Sequence, residues 1–106
     1  MASYASQSAS YYIDGGVIVL ITSATVEQTG MVAGRTYEFV AIDGGALCRW
    51  GADDASIADG GFDFAVPKNG NAIRAVCPAG DTAINVIESD GGSVATAVLC
   101  ISEVQG

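Results

Sequence analysis

The chain has no histidine, and its only cations are Arg35, Arg49, Lys68 and Arg74, set against twelve acidic residues. The first absence removes the commonest base that activates a serine or cysteine nucleophile. The second argues against nucleic acid as a partner, because phosphate contacts need clustered Lys and Arg and the net charge here is -8. Long hydrophobic runs are missing as well. The longest mostly apolar stretch, around residues 17–21, is far shorter than the roughly 20 residues that cross a bilayer, so no membrane segment is expected. Met1 to Ser10 has neither the positive charge nor the apolar centre of a secretory signal, which points to synthesis and folding in a cytoplasm. Between residues 35 and 88 nothing offers helical spacing. Cysteines are few and odd in number. Cys48, Cys77 and Cys100 cannot all pair within one chain, and they lack the C-x-x-C spacing and fourth ligand of a zinc site. They are expected to be unlinked and buried as small hydrophobes.

What is present is the composition of a folded domain. Half of the 106 residues are apolar and 15% are charged, enough for one ordinary core and too little for two. Fourteen glycines punctuate short segments that alternate between apolar and polar residues, the period of a half-buried strand. Residues 17–24 (VIVLITSA) are β-branched and almost continuously apolar, which predicts a strand covered on both faces. Residues 25–34 read as a connection. Residues 35–42 alternate, with Tyr37, Phe39 and Ala41 on one face, and Arg35 opens the segment as a polar cross-strand partner. Asp43, Gly44 and Gly45 then predict a tight hairpin into residues 46–50.

A polar loop over residues 51–59 precedes Phe62 to Val66, with Phe62, Phe64 and Val66 inward. Pro67, lacking a donor, ends that strand or sets it on an edge. Strands follow at 72–77, at 82–88 with Ile84 and Val86 inward and Asn85 outward, and at 94–104. The pattern predicts an all-β fold of about seven to eight strands, either a β-sandwich or a small jelly-roll-like barrel, spanning residues 14–106. Its expected core is Val19, Ile21, Tyr37, Phe39, Phe62, Phe64, Val66, Ile73, Ile84, Val86, Val98 and Leu99. Residues 1–13 read as an N-terminal arm.

The candidate chemistry is sparse. Asp53, Asp54 and Asp59, near Ser56, lack the D-x-D-x-D-G spacing of a calcium loop and read as a solvated turn. The glycine pairs at 15, 44, 60 and 91 do not fit a phosphate-binding loop and serve as turns. Neither a metal nor a cofactor is expected, and no enzyme activity. Trp50 is either a core or rim residue or a sugar-stacking platform of a small carbohydrate-binding module, the former being the commoner use of a lone tryptophan. In the arm, Tyr4, Tyr11 and Tyr12 stand out, since aromatics bury large area at interfaces with little rotamer loss. They are the candidate partner-binding residues, the rival reading being that the arm packs on its own domain.

The runs GRTYEFVAIDGGALCRWG, ASIADGGFDFAVPKNGNAIRAV and TAINVIE resemble small structural proteins of tailed-phage virions. The likeness passes through Arg35, Arg49, Gly51, Asp59, Gly60, Phe62, Val66, Pro67, Gly70 and Ile87, leaving residues 1–34 outside it. These are turn and core positions, which speak for fold and context more than for activity. The resemblance implies a β-sandwich capsid decoration or cement protein on the outside of an assembled head. Its partner would be the major capsid protein, with self-association on the lattice. A tail or head-fibre component of the same virion is the alternative within that class.

Overall fold

The computed structural model describes residues 16–51, 57, 61–89 and 95–104. The proposed arm at 1–13, with Tyr4, Tyr11 and Tyr12, lies outside the described residues, and so do Asp53, Asp54, Ser56 and Asp59. Eight strands follow in chain order: β1 (Val17–Leu20), β2 (Val26–Thr29), β3 (Thr36–Ile42), β4 (Ala46–Trp50), β5 (Phe64–Val66), β6 (Ile73–Val76), β7 (Ala83–Glu88) and β8 (Val98–Glu103). They form two antiparallel sheets of four strands, ordered β1-β8-β3-β6 and β2-β7-β4-β5. The chain is an all-β sandwich. Among the described residues no helix is long and apolar enough to cross a membrane.

The strand order identifies the topology more closely. β1 pairs with β8, β2 with β7, β3 with β6 and β4 with β5, as though one long hairpin had been rolled over a core, and β3–β8 and β4–β7 contacts close the roll. Eight strands in this order make a jelly roll. Only β4 and β5 are neighbours both in sequence and in a sheet; every other connection passes from one sheet to the other.

Two-residue periodicity builds the core. β3 buries Tyr37, Phe39 and Ala41, and β4 buries Ala46, Cys48 and Trp50. Because these strands belong to opposite sheets, their inner faces meet. Phe39 is fully buried, with its ring centre 4.9 Å from Phe64 and 6.1 Å from Trp50. Trp50 also lies 6.3 Å from Tyr37. Val19, Ile84, Val86, Leu99 and Ile101 complete the layer between the sheets.

Several sequence expectations fail for identifiable reasons. β3 and β4 do not form a hairpin, because both edges of β3 are already taken by β8 and β6. The Asp43–Gly45 turn instead carries the chain across the sandwich. Its left-handed residue is Asp43, at φ 67°, held by its N–H donating to Asn69 Oδ1 at 2.9 Å and by its carboxylate accepting from Thr96 Oγ1 at 2.9 Å. Gly45 is needed for space: a Cβ there would sit 2.5 Å from Ser89 Oγ and 3.3 Å from the Val66 carbonyl.

β2 lies within the stretch read as a connection. Its sequence, VEQT, has one apolar residue, so its strand state comes from pairing with β7 rather than from its own pattern. Phe62 is 44% exposed and precedes β5. The Asp63 N–H donates to the Cys48 carbonyl and the Asp63 carboxylate accepts from the Trp50 N–H, which breaks the alternation there and turns Phe62 outward. Val98 belongs to the outer face and is half-buried, as are Phe64 and Ile73 on the inner side. Asn85 does point away from Ile84 and Val86, yet it is fully buried, its Nδ2 donating to the Gly51 carbonyl at 2.5 Å. Pro67 directly follows β5, which is an edge strand.

Candidate functional site

The first sheet has one face in the core and one facing away from it. Since Val19, Phe39, Ala41, Leu99 and Ile101 point inward, alternation places Ile18 and Leu20 of β1, Val98 and Cys100 of β8, and Val40 and Ile42 of β3 on the outer face. Cross-strand register assembles them into two rows: Leu20, Val98 and Ile42 in one, Ile18, Cys100 and Val40 in the other. Strands lie about 4.8 Å apart and same-face rows about 6.8 Å apart, so the six side chains form one continuous block. Ile18 is 67%, Leu20 56% and Ile42 41% exposed, whereas the other three are half-buried.

The block has a polar border. The next row holds Ser102 and Glu38, and Glu38 Oε1 accepts from Arg74 Nε of β6 at 3.1 Å. A second ion pair, Arg35 to Glu103 at 2.6 Å, ties the start of β3 to the end of β8, which gives Arg35 the cross-strand role expected of it. Both pairs leave their arginines more than half exposed, so each contributes at most about 1 kcal/mol. A chain of net charge -8 thus keeps an uncharged apolar surface on three adjacent strands. Isolated exposed hydrophobes are ordinary; contiguous apolar patches rimmed by polar residues mark interaction sites.

A groove of about 280 Å³ opens where the β1 and β2 edges of the two sheets part, lined by Val17, Gln28, Met31, Tyr37, Ile101 and Glu103 among others. It falls just below the roughly 300–1,000 Å³ of small-molecule sites. The Tyr37 hydroxyl accepts from the Val32 N–H at 2.9 Å at its wall.

The three cysteines are free. Burial pushes the Cys48 thiol up to about 12, and burial together with the Asp81 carboxylate raises that of Cys77. Neither thiol is poised as a nucleophile. Cys100 instead forms part of the apolar block. Among the described residues no cluster of three or more histidine, cysteine or acidic side chains is placed to hold a metal. Trp50 is only 9% exposed and packed among Tyr37, Phe39 and Phe64, so its ring has no free face to stack on a sugar. Among the described residues Asn85 Oδ1 is buried without a partner, an arrangement that costs about 1–3 kcal/mol.

No protein-family model, curated protein or solved structure matches this chain. The residues that define the surface are therefore those the geometry brings together. Tyr4, Tyr11 and Tyr12 lie outside the described residues, and the structure adds Ile18, Leu20 and Ile42 as surface residues that sequence reasoning assigned to the interior or passed over. Ile18 and Leu20 belong to the VIVLITSA run, whose apolar character on both faces reads as a strand covered on both sides until the sheet order shows β1 at an edge.

Proposed function

We propose that this chain is a non-enzymatic structural protein of a tailed-phage virion, of the decoration or cement type, which attaches to the outside of an assembled head. The observation that carries the binding reading is the six-residue apolar block on the outer face of the β1-β8-β3-β6 sheet. The likeness of residues 35–88 to virion proteins supplies the context. Jelly rolls serve capsid and lectin proteins alike, so topology does not choose between them, but the burial of Trp50 removes the aromatic platform a lectin-like module would use here. The partner is a lattice of major capsid subunits offering a complementary apolar surface. A module that binds the assembled lattice and not its separated subunits stabilises the lattice by mass action, by about 2.7 kcal/mol per site at a free concentration of 100 Kd.

The test is co-sedimentation with heads that lack this protein, comparing the parent with Ile42→Lys. Lysine is tolerated at an exposed position of the free protein but brings a charge into the docked face. Attachment should weaken at least about tenfold while the melting temperature holds. Retention of Ile42→Lys on heads at the parental level would remove the apolar face as the attachment surface. A chain starting at Asp14, run alongside, tests Tyr4, Tyr11 and Tyr12: undiminished attachment would show that the arm is not an attachment device. Failure of the parent itself to sediment with heads would refute the decoration role.

A further inference from the structure

The four edge strands of the sandwich are not equivalent. β2 carries Glu27, β6 carries Arg74, and β5 is three residues long between Asp63 and Pro67. Charges, prolines and short length are the devices that keep sheet edges from pairing with other chains. β1 has no charge and no proline, its four residues Val17–Leu20 are all apolar, and no ionisable side chain occurs from Gly16 to Val26.

The direction of its hydrogen bonds follows from the register. Val17 opposes Ile101, Val19 opposes Leu99, and beyond the strand the Ile21 N–H donates to the Ala97 carbonyl at 3.0 Å. In an antiparallel ladder the bonded residues alternate, so Val17, Val19 and Ile21 turn their backbone groups toward β8. Ile18 and Leu20 therefore turn theirs toward the side of β1 where, among the described residues, no strand pairs. Both are also the most exposed members of the apolar block.

We propose that β1 pairs with β1 of a second copy of this chain, antiparallel across a two-fold axis at Val19. In that register the Ile18 N–H donates to the second copy's Leu20 carbonyl and the Leu20 N–H to its Ile18 carbonyl, and symmetry repeats both bonds. Directly opposed residues share a face in an antiparallel pair, so Ile18 meets the second copy's Leu20 on the outer side and the two apolar blocks become one. Two chains of charge -8 repel, and this stretch lets them meet without setting like charges opposite each other. Such an isologous contact closes at a dimer. An edge contact alone lies at the small end of interface sizes, so the dimer is reversible and forms with rising concentration. The inference does not depend on what the apolar face docks on.

Sedimentation velocity of the full chain tests it, with Ile18→Pro, Ile18→Lys and Ile42→Lys as variants. Proline at 18 removes an N–H that faces the open edge and so breaks no bond to β8; lysine there adds an edge charge and serves if the proline variant fails to fold. The parent should dimerise with concentration, both Ile18 variants should remain monomers, and Ile42→Lys, two strands away from the edge, should dimerise like the parent while losing attachment to heads. A parent that stays monomeric up to about 1 mM overturns the proposal. So does an Ile18→Pro dimer as tight as the parent's, or loss of the dimer in Ile42→Lys, which would mean packing through the face. A full chain that is monomeric where a version starting at Asp14 dimerises would assign the edge to residues 1–13 of the same chain, and also overturns it.

Discussion

Replacing Phe39 with alanine probes the centre of the molecule. The side chain is fully buried between the two sheets and packs against the rings of Phe64 and Trp50, on the paired strands β5 and β4 of the facing sheet. Truncating such a residue removes its transfer free energy and leaves a cavity, about 3–5 kcal/mol together. That is a large share of the roughly 5–15 kcal/mol that holds a domain of this size, and it corresponds to a fall of more than about 10 °C in melting temperature. Phe64, half-buried on the edge strand β5, should lose less, about 2–3 kcal/mol. Phe62, 44% exposed and outside β5, should lose no more than about 1 kcal/mol. Urea titrations followed by the emission of Trp50, which packs against both Phe39 and Phe64, would give the three values at a common slope. The order Phe39, Phe64, Phe62 separates the observed fold from simple alternation, which puts Phe62 and Phe64 inside together. A Phe62→Ala variant as unstable as Phe39→Ala, or a Phe39→Ala variant within 1 kcal/mol of the parent, would refute the packing described here.

Alkylation of the native protein without reductant should modify Cys100 first and leave Cys48 and Cys77 protected, with all three reacting once the chain is unfolded; one modifiable thiol in the unfolded chain would show an internal disulfide. Because the Cys48 thiol is held at about 12 in the fold against 9.0 when free, the unfolded chain loses that proton first as pH rises. The contribution of Cys48 to stability is therefore constant below about pH 9 and falls between 9 and 12 by up to about 1.4 kcal/mol per pH unit, and Cys48→Ala should flatten the decline in that window. Asn85→Asp should destabilise by several kcal/mol, since it places a carboxylate in a fully buried site facing the Gly51 carbonyl. The loss should be larger at pH 7 than at pH 4, where the acid is protonated; equal urea midpoints for parent and variant would contradict the burial of Asn85.

Residue pattern alone determined that the chain is all-β, because alternation in residues 35–42, 46–50 and 82–88 and the glycine-rich breaks between them are local properties of the backbone. It also marked most of the core, from Val19 to Leu99, since an apolar residue in phase with its strand has few places to go but inward. The thiols were legible in part: all three are unlinked and Cys48 and Cys77 are buried as expected, whereas Cys100 is only half-buried, on the outer face of its sheet. Tertiary structure decided which strands meet. Strand pairing is non-local, and the Asp43–Gly45 turn, which by composition suits a hairpin, carries the chain between sheets because β8 and β6 occupy both sides of β3. Pairing also made a strand of VEQT, whose own pattern is too polar to show one, and buried Asn85 on a face that alternation assigns to solvent. The candidate surface was hidden for the same reason. Residues 17–20 have the composition of a strand covered on both faces, and only the sheet order reveals that β1 is an edge, with the outward half of that apolar sequence, Ile18 and Leu20, left uncovered.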